Sequence, residues 1–201
     1  MTDYFLLLNE PRRPWLDSER LKEKFLQLSA AIHPDRVHSL PELERTAAQE
    51  RYVELNAAYQ HLRDPRNRLR HFLQLELGAL PKDIQNIPAD LTELFMHVGR
   101  LCRETDTLLL EKSKITSPLL KVQFFERSQE QSDRVTNLLR DLNQRRETIT
   151  QQLREIDARW EAADEAARAN LREQLQTLLH LFGFYDRWIA QLQERVARLA
   201  L

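Results

Sequence analysis

The strongest constraint on the fold is an apolar seam that runs through the last part of the chain at helical spacing. Its members are Leu171, Leu175, Leu178, Phe182, Tyr185, Ile189, Leu192, Val196 and Leu199. Steps of three and four residues place such side chains on one face of an α-helix. A second seam, interrupted by Arg146, contains Val135, Leu139, Leu142, Ile149, Leu153, Ile156 and Trp160. We expect these two helices to pair antiparallel within the chain, although the same seams would also suit a coiled coil between chains.

The composition agrees with long helices. The chain contains 3 glycines in 201 residues, and 30% of its residues are charged. Few glycines are needed where turns are few, and charged residues suit the outer faces of amphipathic helices. The sequence therefore predicts an all-α protein.

Charge, cysteine content and hydropathy argue against several classes of protein. The formal net charge is −1 with both signs interspersed, so we expect no nucleic-acid partner. Cys102 is the single cysteine, which excludes a disulfide framework or a multi-cysteine zinc or iron–sulfur site within one chain. No apolar run approaches membrane length, and the N-terminus has no signal or transit pattern. We expect a cytoplasmic protein without a membrane partner.

Capping signals divide the N-terminal part of the chain into helices. Asp17 can cap a helix whose apolar stripe contains Leu21, Phe25, Leu28 and Ile32. Pro34 ends this helix, since it disfavours helical geometry in the residue before it. Ser39 and Glu42 stand at capping-box spacing and predict a second long helix from near Leu40.

Further signals give the domain limits. Asp64, followed by Pro65, predicts a short helix that ends at Gly78. The segment after it holds two prolines and no clear period, and is interpreted as a linker. The predicted division is a hairpin-containing domain at 1–78, a linker at 79–90 and an antiparallel three-helix bundle with long helices at 91–201.

The bundle has its own start signals. Asp90 and Glu93 stand at cap spacing before its first helix, and Ser117-Pro118 opens its second. Leu94 belongs to the apolar stripe of the first helix, whereas Phe95 and Met96 are turned about 100° and 200° away from it. Phe184 likewise lies off the seam of the last helix. Large apolar side chains in such places indicate either an exposed patch for a partner or packing on a neighbouring helix.

The stretch His33-Pro34-Asp35 lies between the first two long helices. It has no serine or cysteine beside it, so a hydrolytic triad is excluded. Because Pro34 fixes the turn, we expect His33 and Asp35 on opposite sides of a rigid corner, where the carboxylate can accept a bidentate bond from a partner arginine. The helix before the loop carries Arg20, Lys22 and Lys24, which would suit an acidic partner surface or would simply be solvated.

The order of these elements resembles a J-domain, the module with which DnaJ-type co-chaperones engage DnaK-type chaperone ATPases. The resemblance covers about residues 3–77. It lies in the His-Pro-Asp loop between two helices, an Ala58-Tyr59 pair and an Asp64-Pro65 pair. It implies a chaperone-binding site made of His33, Pro34, Asp35, Arg36, Arg20, Lys22 and Lys24.

The rest of the chain resembles the HscB-type co-chaperones of iron–sulfur cluster assembly. It lacks a Gly/Phe-rich linker and the four-repeat cysteine region of general DnaJ proteins, and "LFGFYDRW" stands in its last helix. The resemblance implies a DnaK-type or HscA-type chaperone partner and an iron–sulfur scaffold protein as client. It places client binding at Leu94, Phe95, Met96 and Phe184. Gly99 departs from the family, which has an apolar residue there.

Two functions remain open from the sequence. One is a co-chaperone that brings a client to its chaperone. The other is a J-domain adaptor or structural coiled-coil protein that self-associates through its C-terminal helices or takes a different client. We expect no enzymatic activity, metal or cofactor, because the histidines and acidic residues form no ligand set or triad.

Overall fold

A computed structural model describes residues 2–39, 41–79, 88–112 and 117–200. The helices are α1 (Tyr4–Leu7), α2 (Ser18–Ala30), α3 (Pro34–Val37), α4 (Glu42–Leu62), α5 (Pro65–Leu77), α6 (Thr92–Lys112), α7 (Pro118–Trp160) and α8 (Glu165–Ala200), with a 3₁₀ turn at Ala89–Leu91 before α6. The described residues contain no strand, and the all-α prediction is confirmed. None of the described helices is both long and apolar enough to cross a membrane.

Most of the predicted helix ends are confirmed. The carboxylate of Asp17 accepts the backbone N–H of Arg20 at the start of α2, and Asp64 does the same for Asn67 at the start of α5. Gly78 ends α5 with a φ of 68°, in the left-handed region that glycine adopts without strain. These signals worked because a cap involves only residues within one turn of each other.

Two predicted caps are wrong, although the helices begin close to the predicted positions. Helix α4 begins at Glu42 with Pro41 as its N-cap and has no side-chain cap, so Ser39 and Glu42 form no capping box. The fixed φ of Pro41, −52°, supplies a helix-compatible entry without it. Asp90 lies inside the 3₁₀ turn instead of capping α6. Leu40 itself lies outside the described residues.

Contacts divide the chain into two compact units. The first joins residues 1–82 with 150–179, and the second joins 83–149 with 180–201. The ends of α7 and α8 nearest their connection therefore belong to the first unit. The predicted domain limits of 1–78, 79–90 and 91–201 stay a prediction, and residues 80–87 of the linker lie outside the described part of the chain.

Helix α7 runs antiparallel to both of its neighbours. In the second unit, Glu111 pairs with Arg127 while Glu104 pairs with Arg134, so α6 and α7 run in opposite directions. The interruption of the α7 seam at Arg146 is explained in the same unit. Its Nε donates to Asp186 on α8 at 2.7 Å, and its guanidinium lies 5.4 Å from the ring centre of Phe182. A charge on the seam is thus hydrogen-bonded and covers an aromatic ring.

The core of the first unit combines apolar packing with one buried carboxylate. The ring of Phe72 on α5 meets Trp160 on α7 edge-on at 5.0 Å. Beside them Asp157, 4% exposed, accepts two hydrogen bonds from Arg13 at 3.2 and 2.6 Å and one from the backbone N–H of Trp15. Buried Arg68 donates to the carbonyls of Pro14 and Leu62, and burial lowers its pKa to about 10. The segment before α2 is therefore held on the end of α7 by charged hydrogen bonds.

Replacing Asp157 by Ala should destabilise the protein strongly, because three donors would lose their acceptor in a mostly buried site. Loss of one partner of such a pair costs about 2–4 kcal/mol in the free energy of unfolding. Urea denaturation followed by circular dichroism measures the change. Asp133→Ala, at an exposed site of α7, is the control and should change stability by less than about 0.5 kcal/mol. An Asp157 variant as stable as this control would contradict the assignment.

A second polar contact ties α1 to α5. Nε2 of His71, which is 3% exposed, accepts the backbone N–H of Tyr4 at 3.1 Å. The ring of His61 lies 5.6 Å from that of His71. Burial lowers the pKa of both histidines, and for His71 the neighbouring His61 lowers it further. Both rings are therefore held neutral in the folded protein, which His71 requires as an acceptor.

Stability should consequently fall on acidification. An unfolded histidine binds a proton below about pH 6.5, whereas these folded histidines resist protonation until a lower pH. Stability is fully present above pH 6.5 or so and is lost as the pH falls from there towards the folded pKa values. Melting temperatures between about pH 5 and 8 should show this slope in the wild type and in exposed His97→Gln, and a shallower one in His71→Gln. An unchanged slope in His71→Gln would contradict the proposal.

Candidate functional site

The His-Pro-Asp loop is a helical turn and not an extended corner. His33 is the N-cap of α3, with φ −61° and ψ 137°, and its Nδ1 accepts the backbone N–H of Asp35 at 3.3 Å. The same Nδ1 lies 3.6 Å from the Asp35 carboxylate. The expectation that these side chains point to opposite sides is therefore wrong, because the cap bond turns His33 back towards Asp35. An Nδ1 that accepts leaves the N–H on Nε2 free to donate to a partner.

Neighbouring side chains hold the loop in this geometry. Buried Val37 anchors α3, and His38 Nδ1 lies 2.7 Å from the carbonyl oxygen of Asp35. The ring of Tyr52 on α4 meets His33 edge-on at 5.8 Å. The Asp35 side chain remains 90% exposed, so its carboxylate stays available to a partner. Tyr52 and His38 were missed as site residues, and the only sequence signal was that Tyr52 lies on the stripe of α4.

The hairpin that carries the loop is locked by an aromatic stack. Phe25 on α2 and Tyr59 on α4 lie 4.5 Å apart with their ring planes inclined by 9°. This contact fixes the end of α2 relative to α4. It therefore also fixes where the loop leaves the hairpin.

The predicted basic residues do not form one patch. Arg20 and Lys24 share a face of α2, whereas Lys22 is turned about 200° from Arg20. Arg20, Lys22 and Arg36 are exposed. Lys24 Nζ lies 4.0 Å from Glu10 Oε1, an oxygen with no hydrogen-bond partner in the described structure. Its charge is thus partly compensated, and Arg20 is the more available cation on that face.

The predicted client residues separate into exposed and buried ones. Phe95 is 41% and Met96 55% exposed, as expected from their positions off the stripe, and Leu94 is half-buried. Phe184 is only 5% exposed, so packing is the one of its two alternatives that the structure shows. Its ring centre lies 5.8 Å from that of Trp188, one turn along α8, and the Arg187 guanidinium lies 5.1 Å from it.

The pattern of α8 contained a signal for this burial. Phe184 and Trp188 are four residues apart and form a second apolar stripe beside the main seam. The ring centre of Trp188 lies 6.4 Å from that of Phe95, so the buried Trp188 packs beside the exposed ring on α6. Trp188 is a site residue that the sequence reasoning missed.

A groove of about 710 Å³ runs beside Met96 in the second unit. It lies between α6 and α7, and its lining includes Glu93, Leu94, Met96, Arg100, Arg134 and Arg145. Arg134 is paired with Glu104 and Arg145 with Asp141. The exposed face of α6 thus combines apolar and charged side chains.

Comparisons with known proteins agree with this architecture. Residues 3–71 match the DnaJ domain family. Among solved structures, the chaperone HscB from Vibrio cholerae is similar over 100% of both chains, with 20% identity and a TM-score of 0.57. The human co-chaperone HscB is similar over 98% of this chain and 81% of its own, with 16% identity and the same score of 0.57.

The N-terminal part of the chain is therefore a J-domain. The chain as a whole has an HscB-like fold, in which the J-domain is followed by a helical C-terminal region. The resemblance drawn from the sequence is confirmed at this level. Together the domain and the fold support a co-chaperone with a partner of the Hsp70 type.

Substitutions can separate packing from surface on α6 and α8. Phe184→Ala should lower the free energy of unfolding by about 3–5 kcal/mol, because it opens a cavity beside Trp188. Phe95→Ala and Met96→Ala should each cost less than Phe184→Ala, about 1 kcal/mol, since both side chains are exposed to water. Urea denaturation of the three variants checks this order. Equal losses at all three positions would mean that Phe95 and Met96 are core residues.

Proposed function

We propose that this protein is a co-chaperone whose His-Pro-Asp loop docks on a DnaK-type or HscA-type ATPase and stimulates ATP hydrolysis. The observation that carries the proposal is the loop geometry. Asp35 is 90% exposed while its backbone N–H and carbonyl are both engaged within the loop. Its carboxylate is thus presented from a fixed backbone, which lowers the ordering cost of docking.

The two polar groups of the loop would have complementary roles. The Asp35 carboxylate accepts hydrogen bonds and suits a partner arginine, which can bind it with two parallel bonds. His33 offers the N–H of Nε2. Arg36 and Arg20, both exposed, would add attraction to an acidic partner surface and raise the rate of association. Lys22 is a weaker candidate because it lies on a different face of α2 from Arg20. Lys24 is weaker because it lies close to Glu10.

In this proposal the chain itself performs no chemistry. His33 and Asp35 act on the partner through binding, and ATP hydrolysis takes place in the partner. No nucleophile is placed beside them in the loop, and the described residues offer no cluster of side chains suited to a metal ion. ATP hydrolysis would be stimulated because the loop binds one conformation of the chaperone more tightly than the other and so raises its population.

We further propose that the second unit binds an iron–sulfur scaffold protein as client. Support comes from the resemblance to HscB-type co-chaperones and from the apolar residues Phe95 and Met96 on the outer face of α6. Leu94 would contribute at its edge. Phe184 would not contact the client directly. It would instead hold Trp188, which packs beside Phe95.

A structural role remains the second candidate. Near the start of α7, Leu120 is 49%, Val122 59% and Phe125 69% exposed. Adjacent large apolar side chains of this kind favour self-association through the C-terminal helices. A chain that forms stable oligomers and does not stimulate any Hsp70-type ATPase would fit this alternative.

The docking role can be tested by steady-state ATPase assays with DnaK and HscA. Asp35→Asn removes a charged hydrogen-bond acceptor, worth about 1.5–3 kcal/mol, and should weaken stimulation about ten- to hundredfold. Its melting temperature should stay close to that of the wild type, because the side chain is exposed. Glu147→Gln, an exposed carboxylate on α7, is the matched control and should stimulate normally. Full stimulation by Asp35→Asn would contradict the docking role.

A further inference from the structure

The carboxylates in the middle and last turns of α6 are used inside the second unit. Glu104 accepts a hydrogen bond from Arg134 on α7 at 2.7 Å, and Asp106 accepts one from Arg195 on α8 at 2.7 Å. Glu111 pairs with Arg127 at 2.8 Å. These three acidic side chains are therefore neutralised by neighbouring helices. Glu93, at the helix start, is the remaining carboxylate of α6; it is exposed, lies about 20° from Arg100 around the helix and lines the same groove.

Unlike these paired carboxylates, the arginines of α6 form no ion pair in the described structure. Arg100 and Arg103 are exposed, and neither guanidinium is within ion-pair distance of a carboxylate in the described part of the chain. A Cβ at Gly99 would lie 3.5 Å from Nη1 of Arg103, so this guanidinium folds back over the glycine.

The result is a mixed surface on one face of α6. Met96, Arg100, Arg103 and the Gly99 position fall within about 100° of one another around the helix, and Phe95 lies at the edge of the same face. Two exposed apolar side chains therefore stand next to two arginines that form no ion pair within the described residues, with the carboxylate of Glu93 two turns before Arg100. Such a surface matches a partner in which carboxylates flank apolar side chains.

We propose that the client segment bound by this face of α6 is acidic and apolar, with Arg100 and Arg103 selecting its carboxylates. This inference rests on the proposed client role of the α6 face and adds the charge of what it binds. Phe95 and Met96 supply apolar contact area, and the arginines discriminate between acidic and basic segments. A basic segment with the same apolar side chains would be repelled.

Peptide binding tests the charge preference directly. Two fluorescent amphipathic peptides share the same leucines and phenylalanine, and carry either glutamate or lysine at the flanking positions. Each exposed ion pair contributes about 0.2–1 kcal/mol, so two arginines should favour the glutamate peptide about tenfold. The preference should shrink as salt rises, because exposed charges are screened. The double variant R100E/R103E should reverse it.

The control variant is Arg140→Glu, which changes an exposed arginine on the far face of α7 and should keep the wild-type preference. Equal affinity for the two peptides, no measurable binding of either, or an unchanged preference in R100E/R103E would overturn the proposal. Circular dichroism of R100E/R103E should match the wild type, since neither arginine has an ion pair to lose.

A second measurement separates this inference from the proposed client. Binding of the iron–sulfur scaffold protein should weaken in F95A/M96A and in R100E/R103E. Weakening in F95A/M96A alone would support the client and overturn the charge preference. No scaffold binding by the wild type, together with a clear preference for the glutamate peptide, would overturn the scaffold as client and support an acidic partner of another kind.

Discussion

The arrangement of the first unit depends on the Asp157 carboxylate. It gathers the guanidinium of Arg13 and the backbone N–H of Trp15, while Arg154 lies over the Trp15 ring at 4.7 Å. The segment so held leads directly into α2, and α2 leads into the His-Pro-Asp loop. A buried charge with three hydrogen bonds permits little change in position, because displacement leaves it unpaired in a poor solvent for ions. The loop is therefore displayed by a hairpin whose start is fixed on α7.

Polar contacts also specify how the helices of the second unit pair. Apolar seams alone tolerate a shift by a turn, because leucine meets leucine again after each step. The buried Gln131 amide donates to the Thr105 hydroxyl at 2.8 Å, and Arg146 meets Asp186 at 2.7 Å. A shift would leave these groups without partners, so they favour a single register, as buried polar residues do in coiled coils. The same need for partners engages Glu104, Asp106 and Glu111 of α6 with arginines of the neighbouring helices, while Arg100 and Arg103 are exposed.

Several local features of the fold could be predicted from the sequence, and distant contacts could not. The caps at Asp17 and Asp64 and the end at Gly78 depend on residues within one turn. The hydrogen bond between Arg13 and Asp157 joins positions 144 residues apart, and no periodic pattern in the sequence predicts it. The loop shows that some local features were also missed: its place between two helices followed from Pro34, whereas the turn of His33 towards Asp35 depends on a cap bond across two residues that no periodic pattern indicates. For Phe184 the choice between exposure and packing stayed open, because the main seam does not show that α8 has a second buried stripe.

The two candidate surfaces differ in how they would gain affinity. The loop is already ordered by the His33 cap bond, the His38 contact and the Tyr52 ring, so a partner that binds Asp35 loses little conformational entropy. The face of α6 has two apolar side chains open to water and would gain mainly from their desolvation, with charge deciding the partner. The charge preference can be altered with little loss of stability, since exposed arginines contribute little to the packing of the core. Under the proposed functions, a few surface charges on α6 could change the client, while the loop proposed to dock on the chaperone, held by packed rings and a buried carboxylate, would stay the same.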